Sequence, residues 1–142
     1  MTPKRIIFDQ PERIATWVEQ RIGTPQNFER YTAIGLESGG ELIAGAVFTG
    51  YTDVNLMVHV AGTRLWASPV FLRTLAHYAF RQCGVRRVTA LTAAKNVRCR
   101  RLIERCGFEL EGQMKHAMPD DDVVVYGVLA ERAGYLLEGL QA

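Results

Sequence analysis

A chain of 142 residues, 48% hydrophobic and 23% charged, has the composition of one folded domain, residues 1–142, with enough mass for its own core. No apolar run approaches the roughly 20 residues of a membrane span, and the segment after Met1 lacks the apolar stretch of a secretory signal, so a cytoplasmic protein is expected. The formal net charge of +2 is too small to mark a nucleic-acid partner, and Cys83, Cys99 and Cys106 lack the spacing of a disulfide framework or a metal site.

Lys4 to Phe8 reads as a short strand. Asp9 is placed to cap a helix with Pro11 in its first turn and Glu12 at the capping-box position; Ile14, Trp17, Val18 and Ile22 form its apolar stripe, and Gly23 ends it. Thr24 to Arg30 reads as a loop. Tyr31 to Glu37 and Glu41 to Thr49 are strands joined by Ser38-Gly39-Gly40, a hairpin turn signal. The second is apolar on both faces and is therefore expected at the centre of a sheet. Asp53 to Ala61 is a third strand with Asn55, Met57 and His59 on one face. Ser68-Pro69 opens a helix as an N-cap followed by proline at the first position; Val70, Phe71, Leu75, Tyr78 and Ala79 form its stripe, and Gly84 stops it. Arg86 to Thr92 is a strand. Phe108 to His116 and Val123 to Leu129 form a terminal hairpin, and Glu131 to Leu140 reads as a helix packed on the domain or on a second copy of the chain.

The most informative stretch runs from Asn96 to Gly112, N-V-R-C-R-R-L-I-E-R-C-G-F-E-L-E-G. Asn96 is a good N-cap; Cys99, Leu102, Ile103 and Cys106 recur at the spacing of one buried helical face, and Gly107 sits where a left-handed C′ residue belongs. Asn96, Cys99, Gly107, Phe108, Glu111 and Gly112 resemble the core of the GNAT (Gcn5-related) N-acetyltransferases, most of all the branch that acetylates N-termini of ribosomal proteins, whose pattern is N-x-x-S, a helix, then G-F-x-x-E-G. The resemblance implies an α+β fold with a mixed, mostly antiparallel sheet of about six to seven strands flanked by helices. It also implies acetyl-coenzyme A as cosubstrate and a primary amine, on a peptide N-terminus or a small molecule, as acceptor.

In that family the cofactor's pyrophosphate is held by a loop patterned R/Q-x-x-G-x-G/A before a helix N-terminus. Here the loop reads Arg64-Leu65-Trp66-Ala67-Ser68-Pro69: Arg64 matches, but Ala67 and Pro69 replace both glycines, and proline has no N–H to offer. The cofactor contacts the resemblance implies are therefore Arg64, Trp66, Ala67 and Ser68 at this loop, Asn96 as a polar group, and the backbone near Val60 and Leu91 where two strands splay. A degenerate loop also leaves room for a non-catalytic GNAT-fold binding or assembly module. A base-modifying enzyme acting on nucleic acid would need a continuous basic groove, which the mild net charge argues against.

Acyl transfer to an amine needs a base, stabilisation of the developing oxyanion and a proton for the leaving thiolate. The tyrosine that donates this proton in many relatives is replaced by Ile103, and the serine of N-x-x-S by Cys99. Cys99, in the first turn of a helix beside Arg98 and Arg100, is expected to have a depressed pKa; the plainer reading is a small buried side chain. For the base, Asp53, His59, Glu109 and Glu111 are candidates. His59 has an ordinary pKa of about 6.5, suited to the task, and Glu111 matches the E-G pair. Tyr126 and His116 are expected to line the acceptor pocket. Lys95, Arg98, Arg100, Arg101 and Arg105 read either as a phosphate-binding cluster or as a solvated helix face.

Overall fold

The computed structural model describes residues 3–22, 28–63 and 68–132. In chain order the elements are β1 (Lys4–Ile7), α1 (Pro11–Ile22), β2 (Thr32–Ser38), β3 (Glu41–Thr49), β4 (Asn55–Gly62), α2 (Pro69–His77), β5 (Arg87–Ala93), α3 (Val97–Arg105), β6 (Glu109–Met118) and β7 (Asp121–Leu129). All seven strands join one sheet in the order β1-β2-β3-β4-β5-β7-β6. Every neighbouring pair is antiparallel except β4 and β5, which are linked through α2 and run parallel.

The expected hairpin forms between β2 and β3, with Gly39 and Gly40 at φ 61° and 83°, values that glycine adopts without strain. Leu42 to Phe48 of β3 are all buried, as its two-faced apolar sequence requires. One face of the sheet is covered by α1, whose Ile14 and Val18 pack on Ala33, Leu42 and Val47. The helix lies close because the paired residues Gly35 and Gly45 present no side chain to it: a Cβ on Gly45 would stand 2.8 Å from Val18. On the opposite face Phe71 and Leu75 of α2 and Ile103 of α3 pack against Phe48, Val58, Val88, Val124 and Tyr126.

Ser68 caps α2, its Oγ accepting the Phe71 N–H at 3.4 Å, with Pro69 in the first turn. The helix then widens into a π-turn over Tyr78–Gln82, in which the Cys83 N–H reaches the Tyr78 carbonyl at 2.9 Å, and Gly84 at φ 71° ends it. Three local expectations change. Pro11 begins α1 with Gln10 before it, the Ile14 N–H bonding the Gln10 carbonyl, so Asp9 lies one residue outside the cap. Val70 points outward at 52% exposure. Finally, β6 runs past His116 to Met118, because a register shift with His116 at φ 58° absorbs extra residues and lets pairing with β7 resume at Met118 and Asp121. Beyond Arg132, the helix expected over Glu131 to Leu140 lies outside the described residues.

Candidate active site

The sheet parts at one place. β4 and β5 are in register from Asn55 and Arg87 to Val58 and Ala90, and no residue pair joins them further on. From there β4 stays with β3 as far as Gly62 opposite Ala44, while β5 stays with β7 as far as Ala93 opposite Val123. Each strand follows its outer neighbour, and the two part. The result is a groove of about 500 Å³ with His59 to Gly62 on one wall and Leu91 to Ala93 on the other.

Three further elements close the ends of the groove. The N-terminus of α3 opens on it through Asn96, Arg98 and Cys99; Met114, Ala117 and Met118 come from β6, and Arg21 and Ile22 from the last turn of α1. Asn96 caps α3, its Oδ1 accepting the Cys99 N–H at 3.2 Å. Arg21 lies over the Trp17 ring at 5.0 Å and donates toward the Gly62 carbonyl at 3.5 Å. Among the described residues lining the groove there are two guanidiniums, a helix N-terminus and no carboxylate, a field that favours an anionic ligand.

No family model matches the sequence, and no curated protein matches it. Solved structures do resemble the fold. The ribosomal-protein-S18-alanine N-acetyltransferase from Escherichia coli superposes with a TM-score of 0.71 at 19% identity, over 92% of this chain and 94% of that one. The fold is that of the GNAT acetyltransferases. A second structure of this kind is an acetyltransferase from Salmonella typhimurium solved with its cofactor acetyl-CoA, at TM-score 0.70 and 15% identity over 89% of this chain and 94% of that one. A third is a mutant spermidine N-acetyltransferase from Vibrio cholerae, at 0.71 and 13% over 93% and 95%.

In this GNAT fold His59, Val60, Leu91, Asn96 and Cys99 come together along the parted strands, although they lie far apart in sequence. The imidazole Nε2 of His59 stands 2.9 Å from Thr49 Oγ1, and the ring packs on Phe28 with centroids 5.1 Å apart. Burial pushes its pKa below the ordinary value, so the ring is neutral at physiological pH and able to take a proton. Cys99 reverses its expectation. Burial pushes its thiol up, with a hydrogen bond from Thr92 only partly opposing the shift. The neighbouring arginines do not offset burial, because Arg98 is exposed and Arg100 is turned away to Tyr126 Oη (3.0 Å) and the Ala94 carbonyl (3.1 Å). Cys99 is therefore a protonated thiol at neutral pH, a proton donor rather than a thiolate.

The remaining candidates lie elsewhere. Tyr126 is fully buried beneath α3, donating to Glu104 at 2.6 Å and accepting from Arg100; parity on β7 turns it to the helix-covered face rather than to an acceptor pocket. His116 is exposed on the β6 bulge with its backbone N–H on Asp122 Oδ1 at 2.9 Å, and it does not line the groove that Met114, Ala117 and Met118 reach. Glu111 is held by Arg87 at 2.9 Å outside the groove, and Glu109 by Arg132 at 2.7 Å. Ser68 is the α2 cap, and Arg64, Trp66 and Ala67 lie outside the described residues. The basic cluster disperses: Arg98 faces the groove, Arg100 the core, and Lys95 Nζ the Asp120 carbonyl at 2.8 Å. Sequence reasoning did not find Arg21, Met114 and Met118 as groove residues. An arginine in the last turn of an amphipathic helix reads as a complement to the helix dipole, and nothing in a hairpin sequence shows that its bulge bends toward another strand pair.

Proposed function

We propose that this chain is an acyl-CoA-dependent N-acetyltransferase that moves an acetyl group to a primary amine of a peptide N-terminus or a small molecule. One observation carries the reading: β4 and β5 separate after Val58 and Ala90 into a groove, lined by cationic groups, that ends at the N-terminus of α3. The S. typhimurium neighbour, solved with acetyl-CoA, supports the choice of cosubstrate. In this reading the pantetheine arm pairs with backbone at Val60 and Leu91, Asn96 faces it, and the Arg64-to-Ser68 segment, Arg98 and Arg21 meet the phosphates.

The chemistry asked of the chain is a pair of proton transfers around a C–N bond that forms and a C–S bond that breaks. Neutral His59 takes the ammonium's proton, making the amine nucleophilic, and later returns it to solvent; the nitrogen's second proton leaves to solvent as the intermediate collapses, and β4 backbone N–H groups that have lost their β5 partner stabilise the oxygen that gains charge. The Cys99 thiol gives its proton to the departing sulfur and is reprotonated from solvent. His59 and Cys99 thus divide the base and acid roles, and burial keeps both in the protonation states these roles need.

Thermal unfolding with acetyl-CoA, coenzyme A and adenosine diphosphate tests the reading. Saturation at ~100 times Kd stabilises the fold by about 2.7 kcal/mol, which raises Tm by about 9 °C for a chain of this length. No shift with either coenzyme at millimolar concentration would overturn the proposal.

A further inference from the structure

A second space lies beside the groove, between the inner faces of α2 and α3 and strands β4, β5 and β7, with a volume of about 100 Å³. Among the described residues, the side chains that line it are hydrocarbon apart from the thiols of Cys99 and Cys106, with no charged, amide or hydroxyl side chain. Alanines at 76, 79 and 90 leave the space that larger side chains would fill. Water placed there would lack the two to four polar partners it needs, so a cavity of this character stays dry and is suited to an apolar occupant.

The cavity and the groove share three wall residues, Val60, Leu91 and Cys99. These are the residues of the parted strands and the α3 first turn where the proposed function places the reactive end of the thioester. An apolar group attached there lies against the same three side chains that wall the cavity. We infer that the cavity receives the tail of an acyl group longer than acetyl, so that the chain binds propionyl- and butyryl-CoA more tightly than acetyl-CoA. The inference rests on the acyl-CoA reading and deepens it by naming the acyl chain length. An apolar cavity of roughly 150 Å³ holds a benzene ring; about two-thirds of that volume suits a chain of three or four carbons and excludes an octanoyl tail.

Equilibrium binding of acetyl-, propionyl-, butyryl- and octanoyl-CoA to the whole chain tests this. Each methylene moved from water into the cavity should tighten binding by roughly fourfold, giving about a fifteenfold gain from acetyl to butyryl and no further gain at octanoyl. Ala76→Leu, which fills the cavity from α2, should remove the gain while leaving acetyl-CoA binding unchanged; Ala79→Val serves the same purpose if the first variant does not fold. Acetyl-CoA binding with a flat or falling series in the unaltered protein would overturn the inference and leave the proposed function standing. Absence of binding by every coenzyme would overturn both.

Discussion

Replacement of His59 by glutamine isolates the base. The ring is half-buried against Phe28 and bonded to Thr49, and its pKa lies below the ordinary value of about 6.5. At pH 7.5 at least about 90% of the enzyme therefore already carries the neutral ring, so almost the whole contribution of a positioned base is at stake, about 10²–10⁴-fold in rate. Glutamine can keep a hydrogen bond to Thr49 but cannot carry a proton away. The assay is release of coenzyme A with saturating acetyl-CoA, run across pH with a peptide α-amine and with a lysine side-chain amine. An α-amine of pKa near 7.7–8.0 is partly free base at pH 7.5, whereas a lysine amine of pKa about 10.4 is almost wholly protonated. The loss in His59→Gln should therefore be larger for the lysine amine. In the unaltered enzyme protonation of the ring should add a fall in kcat on the acid side that His59→Gln lacks. A loss under about threefold, or an equal loss for both amines, would refute the assignment of His59 as base.

Stability gives a second reading of the same residue. A histidine whose folded pKa is depressed contributes stability that is present above its unfolded value of about 6.5 and lost as pH falls through the folded value. Urea midpoints should thus drop on acidification in the unaltered chain and less so in His59→Gln. Cys99 should react with iodoacetamide at pH 7.5 more slowly than free cysteine, and Cys106, pushed up to about 11, more slowly still, as peptide mass mapping would show. Tyr126→Phe removes the hydroxyl between Glu104 and Arg100 and should cost about 1–3 kcal/mol in urea unfolding; an unchanged midpoint would mean that the pair reorganises without it. Gly45→Ala drives a methyl to 2.8 Å from Val18 and should destabilise by about 1–3 kcal/mol, whereas Gly112→Ala, with open space around its Cβ, should cost less.

The sequence was most legible where local chemistry decides the outcome. Gly39-Gly40, Ser68-Pro69, Asn96 and Gly107 each mark a turn or helix end through a backbone conformation or a cap that few other residues supply, and the strands and helices between them formed close to the expected bounds. The apolar run of β3 foretold its burial. What stayed hidden depended on long-range geometry. The groove is made by backbone divergence, which leaves no residue signature: the family resemblance alone pointed to Val60 and Leu91, and Arg21, Met114 and Met118 on its rim were not foreseen. Alternation put Tyr126 on a definite face of β7, but which face a helix would cover was not written in the hairpin. The Cys99 pKa was misjudged because its neighbours in sequence, Arg98 and Arg100, are not its neighbours in electrostatics: one is solvated and the other is committed to Tyr126.

The central claim is that acyl-CoA occupies the space between the parted β4 and β5. Calorimetric titration of acetyl-CoA into the unaltered chain and into Ala93→Trp, which places an indole on the β5 wall of the groove, tests it most directly. The account predicts saturable binding that falls at least tenfold in the variant, with circular dichroism unchanged. Binding of equal strength in both proteins, or none in either, would contradict it.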